Sequence, residues 1–338
     1  MTAENLPNDL KPFPNTGVNW EQHLIKAADP RNYKFGAVNK TVIKEDGNWL
    51  GLDYFFCIQK TTKTDLMNCV SQGAAKAIEA ALELKFGIIK KVSVRFIAKV
   101  SNTTKDGNDF FSVGDALHNI GFVFEEDWPY REDMSWDEYY KEIPDHVMAK
   151  AKKNWDLFDI TYEIIGTSNE ALAVARQYGL PPVIGYAWNR GADGMYYDYG
   201  MSPNHCFNNA DMKADKSKPC LDSYPVDFQI DGDYPKEEMI KILAPEYRIA
   251  YAMLYYVNLR DPNNSFFKKL MTKFKKIIRD VHGGIWFTKP VQDGKAIGKQ
   301  KIDSFEALLG ALVDEFGVEK NNVSDAEMNK MVKWSFFR

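Results

Sequence analysis

One cysteine in this chain of 338 residues stands where its thiol could be reactive. Cys69 lies in a polar segment, 65–73, directly ahead of a run of strong helix formers from Ala74 to Leu84. A thiol in the first turn of such a helix faces unpaired backbone N–H groups and the positive end of the helix dipole. Both favour the thiolate, which is the nucleophilic form. We therefore predict that Cys69 is a nucleophile at the start of a helix.

A nucleophilic cysteine needs a base, and His205 is the best candidate among the five histidines. It follows a turn rich in Gly and Tyr, where a strand could begin. Asp222 lies seventeen residues further on. If 205–210 and 219–223 are neighbouring strands, Asp222 returns to the side of His205. A carboxylate there would hold the imidazole in one tautomer and stabilise the imidazolium.

The elements that must position these residues change character along the chain. Helices are predicted first, at 74–86, 91–100, 112–120 and 137–157, and one more at 168–178. Strands are predicted at 50–58, 160–165, 182–188, 205–210 and 219–223. This order favours an α+β fold with a helical half and an antiparallel β half.

Three regions differ in their pattern. Residues 1–45 are rich in Pro, Asn and Asp and are predicted to form an extended arm. Residues 46–235 carry the candidate site, and 236–338 are predicted to form a helical C-terminal module. Its helices are predicted to start at 236 and to lie at 246–258, 266–281, 303–316 and 324–333. Its segment 266–281 would be an amphipathic helix with a basic face. A helix docked on the body is favoured over one that lies on an anionic membrane surface.

Composition excludes several classes of function. The net charge of −4 gives no case for nucleic-acid binding. The four cysteines, 57, 69, 206 and 220, form no metal-ligand pattern, so no metal or cofactor is expected and a reducing compartment is favoured. The N-terminus lacks the features of a signal peptide, and no segment is apolar enough to span a membrane. These features predict a cytoplasmic protein, and a virion-associated one is the alternative that the resemblance described next implies.

The order of these residues along the chain resembles that in papain-like cysteine peptidases. The matching pieces are a Gln before the nucleophile, Cys69 opening a helix, His205 on a strand, and Asp222-Ser223-Tyr224 where the family usually has Asn-Ser-Trp. The segments 121–130 and 168–183 also look like stretches of that family. The resemblance covers about 46–235 and is closest to divergent microbial and bacteriophage members. It implies a papain-like fold and a Cys–His–Asp mechanism.

The chain departs from the family pattern beside the nucleophile. Asn68 and Val70 flank Cys69 in place of the usual Ser and Trp, and Gln59 lies ten residues upstream, behind a lengthened loop at 60–64. The resemblance implies that Gln59 and the Cys69 backbone N–H hold the oxyanion. No long inhibitory prosegment is present, so the first 45 residues would have to serve as one.

Three functions are compatible with these patterns. The first is a thiol hydrolase that cleaves a peptide or isopeptide bond in a peptide or protein substrate. The second is a catalytically silent component of a phage particle, with assembly contacts made by the arm and the C-terminal helices. The third is acyl transfer by a transglutaminase-like enzyme, which the segments at 128–130 and 222–224 fit less well.

Overall fold

The structure is a computed structural model. It describes residues 17–29, 42–52, 58–224 and 239–260, together with five short strands between 277 and 302. The helices in the described part of the chain are α1 (Trp20–Ala27), α2 (Cys69–Phe86), α3 (Val94–Val100), α4 (Phe110–Ile120), α5 (Trp136–Tyr139), α6 (Asp145–Leu157) and α7 (Asn169–Ala175).

Helix α2 runs through the centre of the helical half. All of its residues from Cys69 to Leu82 are buried. Five of the residues in that stretch are alanines, which combine high helix propensity with small volume. A helix without a polar face is stable only when it is covered on all sides. Packing of α2 therefore holds its first residue, Cys69, in place.

A buried arginine ties α3 to the segment that contains α5. Arg95, on α3, donates from Nε to the Tyr139 carbonyl at 2.8 Å and from Nη1 to the Pro129 carbonyl at 3.1 Å. Its guanidinium also lies over the Trp128 ring, 4.0 Å from the ring centroid. These contacts anchor the segment 128–140, which packs against the residues that lead into α2 through Leu66 and Tyr140.

The β half is a six-stranded sheet. Its strands are β1 (Phe158–Ile165), β2 (Pro182–Arg190), β3 (Tyr196–Asn209), β4 (Lys218–Leu221), β5 (Ile240–Leu243) and β6 (Ile249–Leu259). Their order across the sheet is β1-β6-β2-β3-β4-β5, and the neighbours in that order are antiparallel. The start of β3 also pairs with β5 in parallel. The predicted α+β architecture is confirmed.

The predicted helices after residue 236 are wrong wherever the structure describes the chain. Residues 240–243 and 249–259 are strands of the main sheet, and the first compact unit extends to Arg260. The segment 249–259 is rich in aromatic and apolar residues and is buried along most of its length. A strand that is buried on both faces lacks the alternation of apolar and polar residues by which a sequence distinguishes a strand from a helix.

Other predicted elements differ in detail. The predicted helix at 137–157 is two helices, since Pro144 directly precedes α6. The predicted arm contains a helix, α1. Of the predicted strand at 50–58, residues 50–52 form a turn, and 53–57 lie outside the described residues.

A second compact unit takes Phe86–Ile89 and the chain beyond Asp261. Its described strands are β7 (Ile277–Arg279), β8 (Ile285–Thr288), β9 (Val291–Gln292), β10 (Lys295–Ala296) and β11 (Lys299–Ile302). They form a three-stranded sheet, β11-β8-β7, and the pair β10-β9. The end of the predicted amphipathic helix at 266–281 is thus a strand at 277–279. The rest of it, and the predicted helices at 303–316 and 324–333, lie outside the described residues.

Within the described part of the chain, no helix combines the length and the apolar character that a bilayer crossing requires.

One carboxyl group on α2 is buried without full charge compensation. Glu79 Oε1 accepts the Val92 N–H at 2.7 Å. Burial raises the pKa of Glu79 from 4.5 to about 8, against the opposing effects of Val92, Lys76 and Lys91. Between these two values the folded state holds a proton that the unfolded state has lost. The free energy of unfolding therefore falls as pH rises through this window.

We expect Glu79→Gln to remove this fall in the free energy of unfolding, because a glutamine keeps the acceptor for the Val92 N–H and carries no charge. Its free energy of unfolding should exceed that of the parent by about 1–3 kcal/mol at pH 8 and by much less at pH 5. Urea unfolding at the two pH values measures the difference. The exposed Glu132→Gln is the control, and an equal effect of Glu79→Gln at both pH values would contradict the assignment.

Candidate active site

The nucleophile candidate begins helix α2, as predicted. Cys69 is the first residue of the helix and is fully buried. The Asn68 side chain before it is held on both sides: its Nδ2 donates to the Tyr139 hydroxyl at 2.7 Å, and its Oδ1 accepts from Gln72 Nε2 at 3.2 Å. Asn68 therefore fixes the chain where it enters the helix.

The first turns of α2 lie directly against strand β3. Asn208 Nδ2 donates to the Gly73 carbonyl at 2.9 Å. A Cβ atom at Gly73 would lie 2.9 Å from Cys206 Sγ and 3.0 Å from Pro182 Cβ, so this close approach requires glycine. The Cys69 thiol accepts a hydrogen bond from the Cys206 backbone N–H. Helix packing thus brings Cys69 beside the segment that carries His205.

His205 and Asp222 are brought together by strand pairing. Asn208 and Asn209 of β3 lie opposite Leu221 and Cys220 of β4. Asp222 follows β4 directly, and its Oδ1 lies 2.6 Å from His205 Nε2. Both side chains are buried. The predicted proximity of this pair is confirmed, while the catalytic roles of the two residues stay predictions.

A lysine that sequence reasoning missed completes this cluster. Lys241 Nζ forms an ion pair with Asp222 Oδ2 and donates to the Tyr224 carbonyl at 3.0 Å. Lys241 is buried, although a lysine in a strand is normally expected on the solvent side. The alternation of residues 240–243 is a signal for a strand that the prediction of a helix starting near 236 overlooks.

Gln59 lies at the same site in spite of its wider spacing from Cys69. Its Nε2 donates to Asp65 Oδ1 at 2.9 Å, and its Oε1 accepts from Ser223 Oγ at 3.2 Å. The Gln59 carbonyl accepts the Leu66 N–H at 3.1 Å. The lengthened loop closes on itself, since the Thr61 N–H bonds to the Thr64 carbonyl at 2.8 Å. The extra residues form a projecting turn.

Asp65 is a second residue that sequence reasoning missed. Besides Gln59, it accepts the Met67 backbone N–H at 2.9 Å and the Tyr224 hydroxyl. The Tyr224 ring lies over His205, with 5.5 Å between ring centroids. Asp65 therefore links the loop before the nucleophile to the segment that follows Asp222.

Residues 17–19 of the predicted arm pack against the loop 102–108 and the turn that precedes the nucleophile. The Gly17 carbonyl accepts the Asn108 N–H at 2.8 Å, and the Asn108 carbonyl accepts the Asn19 N–H at 2.8 Å. Gly17 has a φ of 107°, and a Cβ atom there would lie 2.4 Å from the Met67 carbonyl oxygen. Met67 is two residues before Cys69, so this segment covers the turn that presents the thiol.

Two solved structures resemble this arrangement in overall fold. Xylellain, a cysteine protease from Xylella fastidiosa, matches with a TM-score of 0.51 and 15% identity, over 68% of this chain and 92% of its own. The Amb a 11 cysteine protease, a ragweed pollen allergen, matches in its proform with a TM-score of 0.50 and 15% identity, over 75% of this chain and 72% of that one. No protein-family model and no curated protein sequence matches the chain.

The chain has a papain-like fold. The resemblance inferred from the ordered residues is confirmed at the level of the fold. A fold of this kind can carry an active site or serve as a scaffold without one, so function has to be argued from the site.

Burial dominates the electrostatics of this papain-like site. It raises the pKa of the Cys69 thiol well above its ordinary value, and the N–H groups of Cys206 and Val70 offset only part of the rise. The prediction that the start of a helix favours the thiolate of Cys69 is therefore wrong for this structure, because the thiol is buried. Burial also acts to raise the pKa of Asp222, but Lys241 and His205 outweigh it and hold that pKa below its usual range.

Asp65 offers a test of how the site is held together. We expect Asp65→Ala to lower the free energy of unfolding by about 2–4 kcal/mol, because it leaves the Gln59 amide and the Tyr224 hydroxyl without this acceptor. Urea unfolding measures the loss. The matched control, Asp133→Ala, removes an exposed carboxylate paired with Arg131 and should change the value by less than about 0.5 kcal/mol. Equal effects of the two variants would argue against a linking role for Asp65.

Proposed function

We propose that this protein is a thiol hydrolase that cleaves peptide or isopeptide bonds. The observation that carries the proposal is the 2.6 Å contact of Asp222 Oδ1 with His205 Nε2. Because Asp222 engages Nε2, we assign the other ring nitrogen, Nδ1, to proton exchange with the thiol. The Cys69 thiol lies against Cys206, the residue that follows His205.

In the proposed reaction, His205 Nδ1 takes the thiol proton as Cys69 Sγ attacks the carbonyl carbon of the scissile bond. The imidazolium then gives this proton to the leaving amine, and a thioester to Cys69 remains. Water, deprotonated by the same nitrogen, hydrolyses the thioester and regenerates the thiol. Asp222 holds the ring through Nε2 and stabilises its charged form.

We assign two donors to the oxyanion. The Cys69 backbone N–H is one of the N–H groups that the first turn of a helix leaves without an intrahelical partner. The second is the Gln59 amide, whose Nε2 donates to Asp65 and whose Oε1 accepts from Ser223 Oγ. These contacts fix the amide at both ends, so it would act as a preorganised group.

A first test measures peptide hydrolysis and the alkylation rate of Cys69 in the same set of variants. We expect the protein to hydrolyse a mixture of fluorogenic peptides and Cys69→Ser or His205→Ala to lower kcat/KM by about 10³-fold or more. The rate of iodoacetamide labelling at Cys69 below pH 8 should fall in His205→Ala as well. His118→Ala, which removes a partly exposed histidine bonded to the Ile160 carbonyl, should change neither value by more than about twofold.

The silent-scaffold alternative predicts a different result. Without catalysis, no peptide is cleaved, and His205 does not activate the buried Cys69 thiol. The alkylation rate at Cys69 would then be the same with and without the His205 imidazole. This outcome would overturn the hydrolase proposal and favour an assembly role.

The N-terminal segment should restrict access to the proposed nucleophile. It packs on Met67 through Gly17, and helix α1 is docked by His23, which lies among the rings of Trp20, Phe111 and Tyr251. Burial lowers the pKa of His23 to about 4, so its ring is neutral near pH 7 and can pack as an apolar group. The segment is thus held by apolar and backbone contacts, together with an ion pair between Lys26 and Asp109.

We expect Gly17→Val to displace this segment, since the new side chain would collide with the Met67 carbonyl at a φ that valine disfavours. The iodoacetamide labelling rate at Cys69 should rise by about tenfold, which corresponds to about 1.4 kcal/mol. Gly51→Val is the control, because a Cβ atom there meets no atom within 4 Å. An unchanged rate in Gly17→Val would show that the segment does not limit access.

A further inference from the structure

The carboxylate beside His205 is half of a buried ion pair. The Lys241 side chain is 1% exposed and that of Asp222 is 0% exposed. The strands set this geometry, because Cys220 of β4 lies opposite Lys241 of β5, and Asp222 is two residues after Cys220. Side chains two residues apart share a face of a sheet, which makes Asp222 and Lys241 diagonal neighbours.

The two oxygens of Asp222 are assigned to different partners. Oδ1 faces His205 and also accepts the Ser223 backbone N–H at 2.7 Å. Oδ2 is held by Lys241, whose ammonium in turn donates to the Tyr224 carbonyl. With Oδ2 fixed in this way, the carboxylate plane has one orientation, and that orientation presents Oδ1 to the imidazole.

The thiols and phenols near His205 and Asp222 are uncharged around neutral pH. Burial raises the pKa values of those that interact with this pair from α2, β3, β4 and the flanking segments: Cys69, Cys206, Cys220, Tyr224 and Tyr247. Asp65 acts on the site through Tyr224 and Cys69, and Lys76 acts on it through Cys206. Within the described part of the chain, Lys241 and His205 are the groups that lower the pKa of Asp222.

The charge of Lys241 bears directly on the imidazole. A buried carboxylate at hydrogen-bond distance strongly favours the imidazolium and raises its pKa. A cation on the other carboxylate oxygen opposes that effect. The resemblance to the papain family implies a neutral Asn at this position, and an Asp–Lys pair presents an acceptor oxygen with no net charge.

We propose that Lys241 is a positioning residue of the site that orients Asp222 and balances its charge, so that an aspartate can stand where the family usually has an asparagine. This inference deepens the proposed function and rests on the same His205. Lys241 acts through Asp222 and does not touch the reacting atoms. Its loss leaves a buried carboxylate balanced by the imidazole alone.

The experiment is a double-mutant cycle of the full chain: parent, Asp222→Asn, Lys241→Met and Asp222→Asn/Lys241→Met. The pKa of His205 is followed by NMR, with its signal assigned by its absence in His205→Ala. Unfolding midpoints in urea are measured in parallel. Lys218→Met is the matched control, because Lys218 is a buried lysine on the neighbouring β4 that bonds to the Pro245 carbonyl at 2.6 Å.

We expect the NMR titration of His205 to move to higher pH in Lys241→Met and to lower pH in Asp222→Asn, in each case by more than in Lys218→Met. The double variant should lie between the two single variants and lose less stability than the two single variants together. If a single variant fails to fold, a folded double variant with a near-parental His205 pKa still supports the pairing.

Three results would overturn the proposal. The first is that the His205 pKa changes no more in Lys241→Met than in Lys218→Met. The second is that the loss of stability in the double variant equals the sum of the losses in the single variants. The third is that the double variant does not fold. None of these readouts requires catalysis. Absence of peptide hydrolysis by the parent would therefore reject only the hydrolase proposal. A double-mutant cycle without coupling between Asp222 and Lys241, in a protein that hydrolyses peptides, would reject only the role of Lys241.

Discussion

The buried carboxylate of Asp222 is the constraint on which the arrangement of the site depends. A charge without solvent is tolerated only when it is paired and hydrogen-bonded, and this one has His205 on one oxygen and Lys241 on the other. These partners lie on β3 and β5, with Asp222 at the end of β4 between them. The electrostatic requirement and the strand order therefore support each other.

A second constraint is the close contact between helix α2 and the sheet. Gly73 lets the helix approach Cys206 and Pro182 to a distance that a side chain would prevent. This contact brings the Cys69 thiol against β3, but it also encloses the thiol. Here burial outweighs the favourable position at the start of a helix, because desolvation penalises the charged sulfur more than the helix end stabilises it. Catalysis would require an opening of the site.

The parts of the site that could be predicted are those that depend on local pattern and order along the chain. The helix that starts at Cys69 follows from propensity, and the return of Asp222 to His205 follows from two short strands joined by a polar loop. The strand at 249–259 could not be recognised, since its burial removes the alternation that marks a strand, whereas the four-residue strand at 240–243 keeps an alternation that was overlooked. That error concealed Lys241.

The sequence by itself determined the residue types that can perform thiol chemistry, their order, and the α+β division that places them. The tertiary contacts hold Gln59 against Ser223 in spite of its ten-residue separation from Cys69, bury Lys241 on Asp222, and set Gly17 over the turn before Cys69. The physical reason is that each of these depends on contacts between residues distant in sequence. Their free energy comes from burial and charge pairing, which no local pattern records.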